Sequence, residues 1–176
     1  MEEYRPISLV GLVYKIISKI HSKRLLQVLH KVIDNKQAAF LKGRGLLDSV
    51  VVANEVVEEV RRKKGRCIIV KPDFEKSYDS VNWDFLIYML KRLGFCSKWK
   101  KWIRAYLESP SISILVNGSP TDQFVPSKGL GQGDPLAPFL FLIVAEGLAG
   151  AVRQVESKGI LEGISVGNKN IVVSMI

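Results

Sequence analysis

The stretch VKPDFEKSYDSVNW, residues 70–83, places Asp73, Glu75 and Asp79 within seven positions of a chain that is otherwise basic. The β-branched run CIIV leads into Asp73, so a buried strand is expected there, with the carboxylate at its end facing a cleft. A carboxylate so placed suits Mg²⁺, a hard cation that prefers oxygen ligands. The same aspartate could instead open a turn and cap the next helix. A calcium loop would count Asp73, Glu75, Ser77, Asp79 and Asp84 as ligand positions, but the sixth position needs Gly and holds Tyr78.

The other chemistry-bearing stretches are weaker alone. GLGQGD, residues 129–134, is a glycine-rich turn ahead of a long apolar run, yet it is not a full dinucleotide fingerprint. Arg5 in YRPISL, Arg44 in KGRG and Lys128 beside the glycine-rich turn would be ordinary surface cations without a bound anion. Lys15, Lys19, Lys23, RRKK and KWKK could face phosphate backbones or simply water.

Elements must position these residues. Val13, Ile16, Ile17, Ile20, Leu25, Val28, Leu29 and Val32 have helical spacing. Leu47 to Val60 predicts a second helix, with Gly65 as its cap. WDFLIYMLKRLGF reads as a helix closed by Gly94, and SKWKKWIRAYLES as another capped by Ser97. Asn117-Gly118 is the strongest hairpin signal. A long helix follows the glycine-rich turn with Pro135 in its first turn, and the tail suggests two short strands. Helices alternating with few strands indicate an α/β (α+β) domain.

The 176 residues suffice for one sizeable core, and 26 Lys+Arg against 17 Asp+Glu give +9, which suits a polyanionic partner. Cys67 and Cys96 form no CxxC, so no zinc site and a reducing, intracellular setting are expected. No signal peptide is evident. The apolar run LAPFLFLIVA is shorter than a membrane span and contains Pro138, so a buried helix and no membrane are expected.

DFEKSYDSVNW resembles the first palm motif of reverse transcriptases of non-LTR (LINE-type) retrotransposons, especially plant ones. YRPISLVGLVYKIISKIHSKRL, QAAFLKGRGLLDS, GFCSKWKKWI, VNGSPTDQF and GLGQGDPLAPFLF match further segments in the family's order, covering the chain from Tyr4 onward. The resemblance implies an incomplete right-hand polymerase fold, fingers and palm without thumb. Residues 1–65 would be mainly fingers, 66–80 and 127–176 palm, and 81–126 their connection.

It further implies template-directed addition of deoxynucleotides, with an RNA template and a DNA primer as partners and two Mg²⁺ ions as cofactors. Asp73 matches the metal-binding catalytic aspartate. Phe74 matches a position acting through its backbone, and Tyr78 the bulky residue under the sugar that would exclude a 2′-hydroxyl. Gln132 and Gly133 match the second palm motif at the nucleotide. Arg5 matches an arginine that could clamp the triphosphate by bidentate bonds. Arg44 and Lys128 are weaker candidates for nucleic-acid contact. A nuclear location follows by family analogy, and the oligomeric state is left open.

Three departures bear on activity. Pro72 stands where relatives carry Leu, and proline removes a ladder donor. Gly131 stands where many plant relatives have Arg. No Asp-Asp pair occurs in the 176 residues, whereas the family takes its remaining metal ligands from an aromatic-Ala-Asp-Asp hairpin. The expectation is a partial domain ending before that motif and inactive alone. The alternatives are a residual non-catalytic nucleic-acid-binding module, or an unstable product exposing sheet edges.

Overall fold

The computed structural model describes residues 11–37, 40–41, 43, 45–70, 74–166 and 171–173. The chain divides into two compact units, one from Met1–Leu25 with Glu75–Val144, the other from Leu26–Phe74 with Ala145–Ile176. Helices α1 (Leu12–Val32) and α5 (Ala137–Ser157) each contribute residues to both.

The first unit holds α3 (Trp83–Arg92) and α4 (Ser97–Glu108), which pack on each other. Asn82 caps α3, its side-chain oxygen accepting from the Phe85 amide at 2.9 Å. Trp83, Leu86, Met89 and Leu90 then recur at helical spacing and are buried. Gly94, at φ +84°, ends the helix as the sequence predicts. On α4 the buried residues are Ile103, Tyr106 and Leu107. Its cap position is Cys96, which makes no side-chain cap bond, so Ser97 opens the helix rather than capping it. Asn117 and Gly118, at φ +50° and +82°, form the turn between β1 (Leu115–Val116) and β2 (Ser119–Pro120). Positive φ at both central residues gives the turn whose twist matches antiparallel strands.

On α1 the predicted helix forms and Leu25 and Leu29 of its apolar set are buried, but its N-terminal half buries a different face. Ser18, Ser22 and Leu25 are buried, while Leu12, Val13, Ile16, Ile17 and Ile20 are exposed, as are Lys15, Lys19 and Lys23. The Ser18 hydroxyl has a buried carboxylate to serve, described below, and this polar demand overrides the apolar pattern. Along α5, Ala137, Leu140, Leu142 and Ile143 are buried. Pro138, not Pro135, lies in its first turn, where its missing N–H costs no helical bond. At 21 residues this helix is longer than the apolar run suggests, and by length and composition alone it could cross a membrane. It carries Glu146 and Arg153, paired with each other.

In the second unit α2 (Leu46–Arg62) packs against β3 (Ile164–Val166), which pairs antiparallel with β4 (Ile171–Val173) in the register Ile164↔Val173. Lys64, at φ +49°, takes the left-handed position after α2, while the Gly65 amide donates to the Val60 carbonyl at 3.0 Å. The expected cap is therefore one residue early. Leu29, Ile33, Leu41, Val56 and Ala149 supply the unit's buried apolar residues. Asp34 and Glu146 both accept from Arg153, and the Asp34 amide donates to Glu146 at 3.1 Å.

Over residues 67–70, the described part of the buried strand predicted before Asp73, no strand is formed. Ile68 and Val70 are 90% and 79% exposed, and the segment has no ladder partner. β-branched residues favour a pleated surface only where a neighbouring strand supplies it. Among the described residues the strands pair only within their own hairpins, beside one isolated bridge between Ile112 and Phe124. The mixture of helices with two small sheets is compatible with the α/β class.

Candidate nucleotide site

The segment after the acidic motif and the glycine-rich turn meet within the first unit. Residues 75–80 form a turn in which Lys76 sits at φ +49° and the Ser80 amide donates to the Lys76 carbonyl at 3.0 Å. Against it runs the backbone of Gly129 and Leu130. The Gly129 amide donates to the Val81 carbonyl and the Leu130 amide to the Tyr78 carbonyl, both at 2.8 Å. The Trp83 indole N–H donates to the Gly129 carbonyl at 2.7 Å. Both polar groups of Gly129 are thus satisfied by the acidic-motif segment.

Only glycine fits there. At φ +89° an added Cβ would lie 2.8 Å from the Asp79 carbonyl oxygen, against backbone that cannot swing away. Asp79 is half-buried in this contact and Glu75 is exposed.

Beyond Leu130 the chain turns again, with Gly133 at φ +92° and the Asp134 amide donating to the Gly131 carbonyl at 3.2 Å. Gln132 is half-buried on this turn, while Gly133 and Lys128 are exposed. The Tyr78 ring stacks on Phe141 of α5, with centroids 5.4 Å apart and planes 29° from parallel. Burial pushes the Tyr78 hydroxyl above its usual pKa. The structure therefore brings Tyr78, Gln132 and Gly133 onto connected segments. Phe74 is exposed. Asp73, Arg5 and Arg44, like Pro72, lie outside the described residues.

Asp134 is the residue that sequence reasoning missed. Its buried carboxylate accepts from the hydroxyls of Ser18 and Tyr106 and from the Leu136 amide at 2.9 Å, capping the entry to α5. Tyr14 stacks on Tyr106 at 4.3 Å and donates to its carbonyl at 3.3 Å. Burial raises the Tyr14 hydroxyl pKa to about 12 and pushes that of Tyr106 up as well, where the bond to Asp134 adds to the rise. The Asp-Pro pair just ahead of an apolar helix was the available signal. The glycine-rich turn is held at both ends, by Gly129 on one side and Asp134 on the other.

Among the described residues no group of three or more His, Cys, Asp or Glu side chains is placed to hold a metal ion. The described part of the site offers shape, backbone groups and an aromatic floor, and the only residue matched to a metal role is Asp73.

The glycine-rich turn is locked to residues 78–83 of the acidic motif, in a chain that mixes helices with two small sheets. The family model described as reverse transcriptase (RNA-dependent DNA polymerase) matches residues 1–172, and the chain belongs to that family. It is a LINE-type reverse transcriptase domain. It is 29% identical over 146 residues to the transposon TX1 149 kDa protein of Xenopus laevis, covering 83% of this chain and 11% of that one. It is 26% identical over 147 residues to the Pol polyprotein of the type-2 retrotransposable element R2DM of Drosophila melanogaster, covering 84% and 14%. An uncharacterized mitochondrial protein of Arabidopsis thaliana is 45% identical over 57 residues, covering 32% of this chain and 47% of that protein. The chain spans 11% and 14% of the length of the first two relatives. The family generally uses divalent metal ions and acts on nucleotides and nucleic acid.

Proposed function

We propose that this chain supplies fingers and palm segments for template-directed addition of deoxynucleotides to a DNA primer on an RNA template. Residues 1–65 are mainly fingers, 66–80 and 127–176 palm, and 81–126 the connection. The observation that carries this reading is the interlock of the Tyr78 segment with the Gly129–Gly133 turn, because it joins the two stretches matched to the nucleotide. In this reading Tyr78 lies under the sugar with Phe141 behind it, and Gln132 and Gly133 line the base and sugar. Phe74 acts through its backbone, and Arg5 clamps the triphosphate. Arg44 and Lys128 contact nucleic acid. Asp73 holds Mg²⁺, which when bound supplies charge for primer activation and leaving-group stabilisation. The setting is the nucleus.

One aspartate cannot fix two dications in reacting geometry, and the 176 residues contain no adjacent aspartate pair. Primer extension with Mg²⁺ and deoxynucleotides should therefore give no product from these residues alone. Extension that Asp73→Asn abolishes would overturn this inactivity. The nucleotide reading itself is tested by equilibrium binding of a fluorescent deoxynucleotide with Mg²⁺. Tyr78→Ala should narrow the preference over the matching ribonucleotide, and Gln132→Ala should weaken both. Affinities indifferent to both substitutions would sink the reading.

A further inference from the structure

We infer that the outer face of the α3–α4 hairpin is a second contact surface, for single-stranded nucleic acid, separate from the Lys128–Gly133 turn. The residues 83–108 carry six Lys or Arg against two acids, Asp84 and Glu108. Both acids pair with Arg104. Lys91, Arg92, Lys98, Lys100 and Lys101 are left with no carboxylate partner among the described residues. This concentrates positive charge on a short hairpin whose own acids are already spent.

Exposed aromatic rings stand beside these cations on each of the two helices. Phe85 and Tyr88 are 41% and 49% exposed, with centroids 6.1 Å apart and planes 29° from parallel. The Arg92 guanidinium lies 5.9 Å from the Tyr88 ring centre, and the Lys98 ammonium lies 5.1 Å from that of Trp102, which is 40% exposed. A cation near a ring is drawn to the negative face of its π-system. Here it also sets a positive charge beside a surface on which a base can stack. At 3.6 residues per turn, Phe85, Tyr88 and Arg92 lie on the side of α3 opposite Trp83, whose indole is committed to Gly129. The face is therefore turned away from the nucleotide turn.

The paired requirement of charge and stacking identifies the ligand. A polyanion without bases would use only the cations, and a duplex hides its base faces. A single strand offers phosphates and open π-faces together, and such binding is tolerant of sequence.

Fluorescence anisotropy of the whole chain with labelled oligo-dT and oligo-U at several salt concentrations tests the assignment. Tyr88→Leu should weaken binding by about 5- to 150-fold, the range one lost stacking contact gives. Tyr88→Phe, which keeps the ring, should bind like the parent. Arg92→Gln should lower the slope of log affinity against log salt by about 0.7, the counterion share of one phosphate contact on a single strand. Tyr88 is a surface residue, so the thermal melt should be unchanged by its substitution. Parent-like affinity in Tyr88→Leu, or equal loss in Tyr88→Phe, overturns the proposal. Asp73→Asn and Gln132→Ala should leave strand binding intact even where the nucleotide reading fails. Loss in those variants with none in Tyr88→Leu would assign the strand to the nucleotide turn instead.

Discussion

The two units each centre a polar cluster on an aspartate, and the clusters are built on opposite principles. In the first, Asp134 is buried and its partners are neutral donors: the Ser18 and Tyr106 hydroxyls and the Leu136 amide. In the second, Asp34 and Glu146 share Arg153, and the guanidinium residue stays about 40% exposed. Removing Asp134 leaves buried neutral donors with no water to turn to, whereas the second cluster, although its Glu146 is buried, keeps a solvent-exposed side through Arg153. The first cluster anchors the end of the candidate nucleotide turn, so rigidity has been placed where geometry matters to the proposed chemistry.

The contrast can be broken most sharply at Asp134. Asp134→Ala removes the acceptor of two buried hydroxyls and leaves the Leu136 amide only its 3.1 Å bond to Ser18, and should cost about 3 kcal/mol in a urea titration. An effect below about 1 kcal/mol would show the cluster to be no better than a surface pair. Alkali should act on the same cluster. The Tyr14 and Tyr106 hydroxyls have pKa values raised in the folded state, that of Tyr14 to about 12, so their contribution is complete below the unfolded value near 10. Above that pH the unfolded chain loses these protons first, and stability should fall as pH rises toward 12. Melting temperatures followed from pH 9 upward check this, and Tyr106→Phe should flatten the decline.

Next in size is Gly129→Ala, which combines a close approach to backbone with a positive φ. A loss of about 2 kcal/mol is expected, together with faster amide hydrogen exchange at Leu130. Trp83→Phe keeps most of the ring and removes one donor, so about 1 kcal/mol is expected by the same titration. A null result there would mean that the backbone bonds alone hold the turn.

The smallest effect belongs to the second unit. Arg153→Gln should cost about 1 kcal/mol, because the new amide can still donate to the buried Glu146 while the Asp34 pair turns to solvent, and that second part should shrink in high salt. The Asp34 carboxyl is held below its usual pKa by the Lys36 amide, aided by the Arg153 charge. Its contribution is present above the unfolded value near 3.9 and is lost as pH falls through the lower folded value. Acid should therefore loosen the second unit's cluster, and alkali the first's. Backbone amide exchange read separately for α2 and α4 at the two pH extremes would expose a failure of that opposition.

Much of the fold was legible beforehand. The five helices follow from spacing and from Gly94, and the Asn117-Gly118 turn forms the predicted hairpin. The legible part of the candidate site was the pair of motifs around Tyr78 and Gln132, although no periodicity could say that Gly129 and Trp83 lock them together. Ser97 failed as a cap because the neighbouring Cys96 takes the position. Asp134 has no role legible from the glycine-rich motif that contains it, since its partners lie 116 and 28 residues away. The CIIV run was read as buried because its composition suits a strand, but composition does not supply a neighbour.

The residue order alone settled the family, the positions of the helices and the chirality of the tight turns, because each depends on residues within a few positions of one another. Tertiary structure decided which face of α1 is buried, why residue 129 must lack a side chain, and which carboxylate would be sheltered from water. Those outcomes depend on which distant groups arrive at the same place, and a buried polar atom accepts only partners of matching chemistry. Spacing along the chain carries no record of that meeting.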